Sequence, residues 1–384
     1  MYIPRKMDVK TVLERKSCFL FGPRQCGKSS LIAHTCPGAQ VFDLLSSATF
    51  LRLSRNPGYI GEVCTDSRPV VIDEIQKLPI LLDEVHRLIE QRGMKFLLTG
   101  SSARKLRSSG VNLLGGRARI KKLHPFSASE LGDGFDLDKA LNRGLLPSIW
   151  FSEEPDEDLA DYVEEYLQQE IIAESAVRNL PAYSRFLEVA AICNGEQIDY
   201  AKISRDAQVA RSTIQEYFRI LKETLLAYEV GVWHGGKKRK TVETSKFYLF
   251  DSGVVRYLSG RKELAPGTQE YGRAFESWVH HELRTYLDLT RRDGEIAYWR
   301  TKTGLEVDFV VDDCAIEVKS TEQVGVGDLK GLKAIAEEGS FRHRVVVSRE
   351  PRAREVDGIE ILPYREFVAR LYGGELFGRE AAGG

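Results

Sequence analysis

Nine residues near the amino terminus, Phe21-Gly22-Pro23-Arg24-Gln25-Cys26-Gly27-Lys28-Ser29, have the spacing G-x-x-x-x-G-K-[ST] of a phosphate-binding loop. Gly22 and Gly27 allow the backbone to curl until its N–H groups point inward at phosphate oxygens. Lys28 then reaches the β- and γ-phosphates, and Ser29 offers a hydroxyl to Mg²⁺. The helix opening through Ser29 and Ser30 adds its positive end to the same site. Gly22 through Ser30 is therefore the candidate nucleotide-binding segment.

A second chemical cluster follows at Pro69-Val70-Val71-Ile72-Asp73-Glu74, a β-branched run ending in two carboxylates. After a phosphate loop this is the second half of an ATP-hydrolysing site. Asp73 would hold Mg²⁺, and Glu74 would orient and activate the water that attacks the γ-phosphate. The run Lys95-Phe96-Leu97-Leu98-Thr99 leads into Gly100-Ser101-Ser102, where Ser101, with Thr99 as alternate, is the candidate sensor of the γ-phosphate. Ser101 could equally cap a helix beginning near Ala103. Arg117, just after Gly115-Gly116, could bring positive charge to a γ-phosphate in its own subunit or a neighbour's; a solvated loop arginine is the alternative. Arg143 is a weaker candidate of the same kind.

Two further sets lie downstream. Between Phe186 and Tyr228 the apolar spacing predicts three short helices, the third capped by Ser212 with Ile214, Phe218 and Leu221 facing inward. This is the pattern of a helix-turn-helix, whose exposed third-helix start offers Arg211, Ser212, Thr213 and Gln215 to phosphates and base edges. The basic run Lys237-Lys238-Arg239-Lys240 follows where a wing hairpin would stand. Such a run alone is a solvated turn, and such a domain can also serve as a lid or a subunit interface. In the last third, Asp308 is followed one predicted strand later by Glu317-x-Lys319. Residues two apart in a strand share a face, so Glu317 and Lys319 point together, and the set resembles the PD-(D/E)xK nuclease core. Asp308 and Glu317 would hold Mg²⁺, Lys319 would position water, and Glu276 on a preceding helix matches an extra acidic residue of such nucleases. The same fold can be kept as a DNA-binding module that does not cut.

These residues imply an order of elements. Strands are expected at Ser17–Phe21, Val41–Leu44, Pro69–Glu74 and Lys95–Thr99, with a helix after the phosphate loop. An acidic helix is expected from Asp156 to Ala176 and a long one from Glu270 to Leu289. Strands at 296–300, 304–311, 315–320, 345–348 and 359–362 complete the pattern. The fold class is α/β: a P-loop ATPase domain (1–150), a connecting helix (151–180), an all-α winged helix-turn-helix (181–262), a nuclease-like α/β domain (263–378) and a disordered tail (379–384).

The chain has 384 residues, enough for several cores. Its 55 basic and 56 acidic side chains balance, so overall charge selects no partner, although local basic faces remain open to nucleic acid. The six cysteines show no C-x-x-C pair, which reads as reduced thiols in a cytoplasmic protein. No apolar run approaches the ~18 residues of a membrane span.

The motifs Gly22 to Ser29, Val71-Ile72-Asp73-Glu74-Ile75-Gln76-Lys77-Leu78-Pro79, Leu98-Thr99-Gly100-Ser101-Ser102, Gly115-Gly116-Arg117, His124-Pro125-Phe126-Ser127 and Gly144-Leu145-Leu146-Pro147 closely resemble a group of AAA-type ATPases of bacteria and archaea. Members of that group carry a C-terminal domain of unknown function. Cys26 stands where Val is common and Ser29 where Thr is common, and neither removes a required group. The resemblance implies ATP and Mg²⁺ as cofactors and a homo-oligomeric ring, with six subunits as one option. The combination of parts points to DNA as the partner and to no membrane. The reading is an ATP-driven enzyme acting on DNA. A nucleotide-gated DNA-binding regulator and an ATP-gated, metal-dependent endonuclease are the alternatives.

Overall fold

Two runs of strands dominate the chain. The computed structural model describes residues 2–64, 68–104, 106, 114–167, 179–236, 238–292 and 294–377. The chain divides into two units. The first comprises Met1–Phe126, Leu146–Ser148 and Ile220–Leu226; the second comprises Ser127–Leu145, Ile149–Arg219 and Ala227–Gly384.

In the first unit, β1 (Ser17–Phe21), β2 (Gln40–Asp43), β3 (Val70–Asp73), β4 (Phe96–Gly100) and β5 (Ala118–Lys122) form one sheet in the order β2-β3-β4-β1-β5. Every pairing is parallel. Parallel strands covered on both faces need near-continuous apolar sequence, and β1 and β4 are buried along their whole length. Phe19, Phe21, Ile72, Phe96 and Leu98 meet Leu82, Val85 and Leu88 of the helix Leu81–Arg92 in the core. That helix ends at Gly93, whose φ of 64° is the left-handed turn glycine adopts without a side-chain clash. The important feature is the placement of β4 between β1 and β3. It brings the C-terminal ends of all three strands side by side, which is where ligands bind in open α/β sheets.

Three helices, Leu180–Ile192, Tyr200–Ala207 and Arg211–Glu223, the last counted with the second unit as far as Arg219, precede an antiparallel pair, β6 (Ala227–Val232) and β7 (Lys246–Leu249). The third helix begins at Arg211, so Ser212 lies inside its first turn and is not the cap expected from sequence. Asp199 caps the middle helix, accepting from the N–H groups of Ala201 and Lys202. Phe186 and Phe218 pack edge to face at 5.0 Å, and Phe218 meets Phe247 of β7 at 4.8 Å. The helix Gln269–Thr290 then leads to β8 (Ala297–Arg300), β9 (Glu306–Val311) and β10 (Cys314–Lys319), joined antiparallel. After the helix Lys330–Ile335, β11 (His343–Ser348) lies parallel to β10. β12 (Arg354–Val356) and β13 (Ile359–Pro363) extend that side, and β6 pairs with β8 on the other. The result is one eight-stranded sheet ordered β12-β13-β11-β10-β9-β8-β6-β7. The predicted wing strands and the predicted nuclease-like strands therefore share a sheet.

The expected acidic helix is a helix at Pro155–Asp161 followed by a wider turn at Tyr162–Leu167, and residues 168–178 lie outside the described set. The expected tail, 379–384, lies outside it as well. Among the described residues no helix is long and apolar enough to cross a membrane.

Candidate functional site

The phosphate loop begins at the end of β1 and is held at close quarters. A Cβ on Gly22 would stand 2.3 Å from the Leu123 carbonyl oxygen and 2.9 Å from Cys26 Sγ, so only glycine fits. Gln25 and Gly27 take positive φ, 59° and 95°, which folds the loop back on itself. Lys28 is buried, and its Nζ donates to the carbonyls of Gly22 at 2.7 Å and Pro23 at 2.9 Å. From behind, Arg5 donates to the carbonyls of Cys26 and His124, each at 2.7 Å, and its guanidinium lies 5.1 Å over the Phe126 ring. Gln25 Oε1 accepts from the Ser148 hydroxyl at 2.6 Å. Ser29 and Ser30 are exposed at the start of the helix Lys28–Thr35.

Across β4, Asp73 Oδ1 accepts from the Thr99 hydroxyl. The register explains the pair: Ile72 is opposite Leu98, so Asp73 and Thr99 end neighbouring strands together. Glu74 follows in a left-handed conformation, φ 60° and ψ 43°, and its side chain is buried. Gln76 Nε2 donates to Glu74 Oε2 and lies 3.4 Å from Ser101 Oγ. Burial pushes the Glu74 carboxyl up and Asp73 adds to that, while Lys28 and Arg24 pull it down. Gly100 gives Gln76 its room, since a Cβ there would stand 2.2 Å from Gln76 Oε1.

Lys28, Asp73, Glu74, Thr99 and Ser101 thus come together at one end of the sheet. Gln76 links Glu74 to Ser101, a role the sequence reading did not give it; its place two residues after Glu74 within a shared motif was the available signal. Ser102, and not Ser101, accepts from the N–H of Arg104. Arg117 is at the far end. It precedes β5, whose Ala118 pairs with Ser17 at the start of β1, and it pairs with Glu90. At roughly 3.3 Å per strand residue, the length of β1 separates it from its own loop, which removes the in-subunit role for Arg117. Arg143 lies in the second unit and donates to the Ser152 carbonyl.

In the second unit, Glu276, Asp308 and Lys319 line one cleft of about 890 Å³, and Glu317 pairs with Lys319 beside it. Asp308 Oδ2 accepts from the Val318 N–H at 2.8 Å, and Lys319 Nζ donates to Glu317 Oε1 at 2.5 Å. Burial, then the neighbouring carboxylates, hold Asp308 well above the usual range; burial pushes Glu317 up to about 7 despite Lys319. Two neighbours were not foreseen, Lys246 and Glu306, whose ion pair is 2.7 Å long.

Of the predicted DNA-facing residues, Arg211, Ser212 and Gln215 are exposed and Thr213 is half-buried. Lys238 and Lys240 are exposed, and Lys237 lies outside the described residues. Arg239 does not project. Its guanidinium pairs with Glu337 and Glu338, each at 2.8 Å, and donates to the Ala334 carbonyl.

Three family profiles match in succession: an AAA domain over residues 14–132, a domain of unknown function (DUF8612) over 134–265, and another (DUF4143) over 271–367. Among solved structures, the chain is similar to a Signal Transduction ATPase with Numerous Domains (STAND) protein with a tetratricopeptide repeat sensor from Pyrococcus horikoshii. The identity is 14%, over 76% of this chain and 48% of that one, with a TM-score of 0.23. It is also similar to the Thermotoga maritima RuvB Holliday junction branch migration motor, at 13% identity over 57% of this chain and 86% of that one, with a TM-score of 0.27. The chain spans about half the length of the first. No curated protein matches it. The parallel sheet, the loop geometry and the match over residues 14–132 identify an AAA-type P-loop ATPase domain in the first unit.

Proposed function

We propose that the chain hydrolyses ATP and uses the cycle to act on DNA as a homo-oligomer in the cytoplasm. The observation that carries the ATPase reading is Glu74, buried at the strand end beside Asp73 and tied through Gln76 to Ser101. The residues present fit a magnesium-bound nucleoside triphosphate. Gly22 lets the loop pack tightly against the Leu123 carbonyl, and the Lys28 ammonium rests on two loop carbonyls that it can exchange for phosphate oxygens. Ser29 and Asp73 would hold the ion, which supplies charge neutralisation at the transferred phosphoryl group. Glu74 takes the proton of the attacking water, and burial, by raising its carboxyl, makes it a better base. Ser101 and Thr99 orient Glu74 and Asp73 from the central strand. In this reading Arg117 serves a neighbouring subunit, releasing Glu90 to do so.

The DNA half of the reading rests on the exposed first turn of the helix Arg211–Glu223, with Arg211, Ser212, Thr213 and Gln215, and on Lys238 and Lys240 in the loop before β7. Arg239 is held by acidic partners and belongs to the scaffold of that loop. The second unit is read as a nuclease-like module that binds without cutting. The test is ATP turnover with single-stranded, duplex and branched DNA. Turnover stimulated several-fold by one of them, and abolished in Glu74→Gln with nucleotide binding retained, supports the proposal. Turnover indifferent to every DNA refutes the DNA half, and full turnover in Glu74→Gln refutes the assignment of the base.

A further inference from the structure

The acidic centre of the second unit contains a cation of its own. Lys246, the first residue of β7, has a side chain only 5% exposed, and its Nζ lies 3.0 Å from Glu276 Oε1, 2.7 Å from Glu306 Oε1 and 3.8 Å from Asp308 Oδ1. The ammonium also lies 5.3 Å from the centre of the Tyr298 ring. Tyr248, two residues on and so on the same face of the strand, donates its hydroxyl to the same Glu276 oxygen at 2.5 Å. Burying an ammonium costs several kcal/mol and is tolerated only where close carboxylates repay it.

One oxygen of each of the four carboxylates a divalent ion would draw on is already engaged. Glu276 Oε1 accepts from Tyr248 and Lys246, Asp308 Oδ2 from the Val318 N–H, Glu317 Oε1 from Lys319, and Glu306 Oε2 pairs with Arg300 at 3.0 Å. Glu317 Oε2 is buried without a partner, yet no group of three acidic, His or Cys side chains among the described residues is arranged to hold a metal. The residues do not fit the Mg²⁺ centre that Asp308, Glu317 and Lys319 implied.

We infer that Lys246 is the resident counter-cation of this centre, taking the position of a divalent metal and keeping the nuclease-like site closed to one. The inference concerns the metal alone and stands whether or not the chain acts on DNA.

It is tested by titrating Mn²⁺ into the full-length, nucleotide-free protein and following free Mn²⁺ by electron paramagnetic resonance. Wild type and Asp308→Asn are expected to give superimposable curves, because no Mn²⁺ reaches the centre. Lys246→Met is expected to gain a site that Asp308→Asn in the same background removes. A wild-type site lost in Asp308→Asn overturns the inference, as does a folded Lys246→Met variant that gains nothing. Should Lys246→Met fail to fold, the comparison of wild type with Asp308→Asn decides the question alone.

Discussion

Glu282 lies six residues beyond Glu276 on the helix Gln269–Thr290 and is completely buried. Its carboxylate accepts from the Ala128 N–H at 2.8 Å and from the Tyr372 hydroxyl at 2.9 Å. Two donors do not offset full desolvation, and Glu130 nearby adds repulsion, so burial pushes Glu282 from its ordinary 4.5 up to about 8. The folded state therefore binds this proton more tightly than the unfolded chain does. The resulting stabilisation is complete below about pH 4.5, declines as the pH rises, and is gone above about pH 8. At about 1.4 kcal/mol per pH unit of displacement, the whole change is about 5 kcal/mol. Glu282→Gln keeps the shape and the acceptor for Ala128 but cannot ionise. It should lose ground to wild type at pH 5 and gain several kcal/mol on it by pH 9. All four tryptophans, Trp150, Trp233, Trp278 and Trp299, belong to the second unit. Urea unfolding followed by tryptophan fluorescence from pH 5 to 9 therefore reads this unit selectively. Other titrating groups cancel in the difference between the two proteins. Parallel stability curves would refute the reasoning.

Two glycine substitutions probe the close approaches. Gly22→Ala drives a methyl to 2.3 Å from the Leu123 carbonyl, so the loop must move; titration with a fluorescent nucleotide should show affinity reduced by about five- to 150-fold, the equivalent of the ~1–3 kcal/mol typical of overpacking. Gly144 has φ +81°, and a Cβ there would stand 2.0 Å from Asp251 Oδ1, the carboxylate that also accepts from the Leu145 N–H. Gly144→Ala should destabilise the second unit by about 2 kcal/mol or more, measured by the same tryptophan signal, with nucleotide affinity of the first unit unchanged.

What the sequence disclosed depended on how far apart in the chain the partners lie. Gly22 to Ser29 and Asp73-Glu74 are local spacings on apolar strands, and each reads without knowledge of the sheet. Their lateral neighbours depend on strand order. Thr99 touches Asp73, and Ser101 stands by Gln76, because β4 is inserted between β1 and β3, and no spacing within a motif states that insertion. Arg117 shows the same dependence on strand order, which leaves only the neighbouring-subunit alternative for its charge. Its Gly-Gly-Arg signature is local, but β5 runs parallel to β1, so an arginine entering β5 stands at the end of the sheet remote from the phosphates. Asp308, Glu317 and Lys319 were legible because strand alternation puts Glu317 and Lys319 on one face. Lys246 was not, since it precedes Glu276 by 30 residues and Glu306 by 60 and sits in no motif. Its one local sign is the Lys246-x-Tyr248 alternation. That alternation acquires meaning only when β6 pairs with β8 and joins the hairpin to the sheet that carries the carboxylates. A motif reports which groups can do chemistry, while the strand order decides which other charges stand among them. In the second unit that decision replaces a metal site with an ammonium.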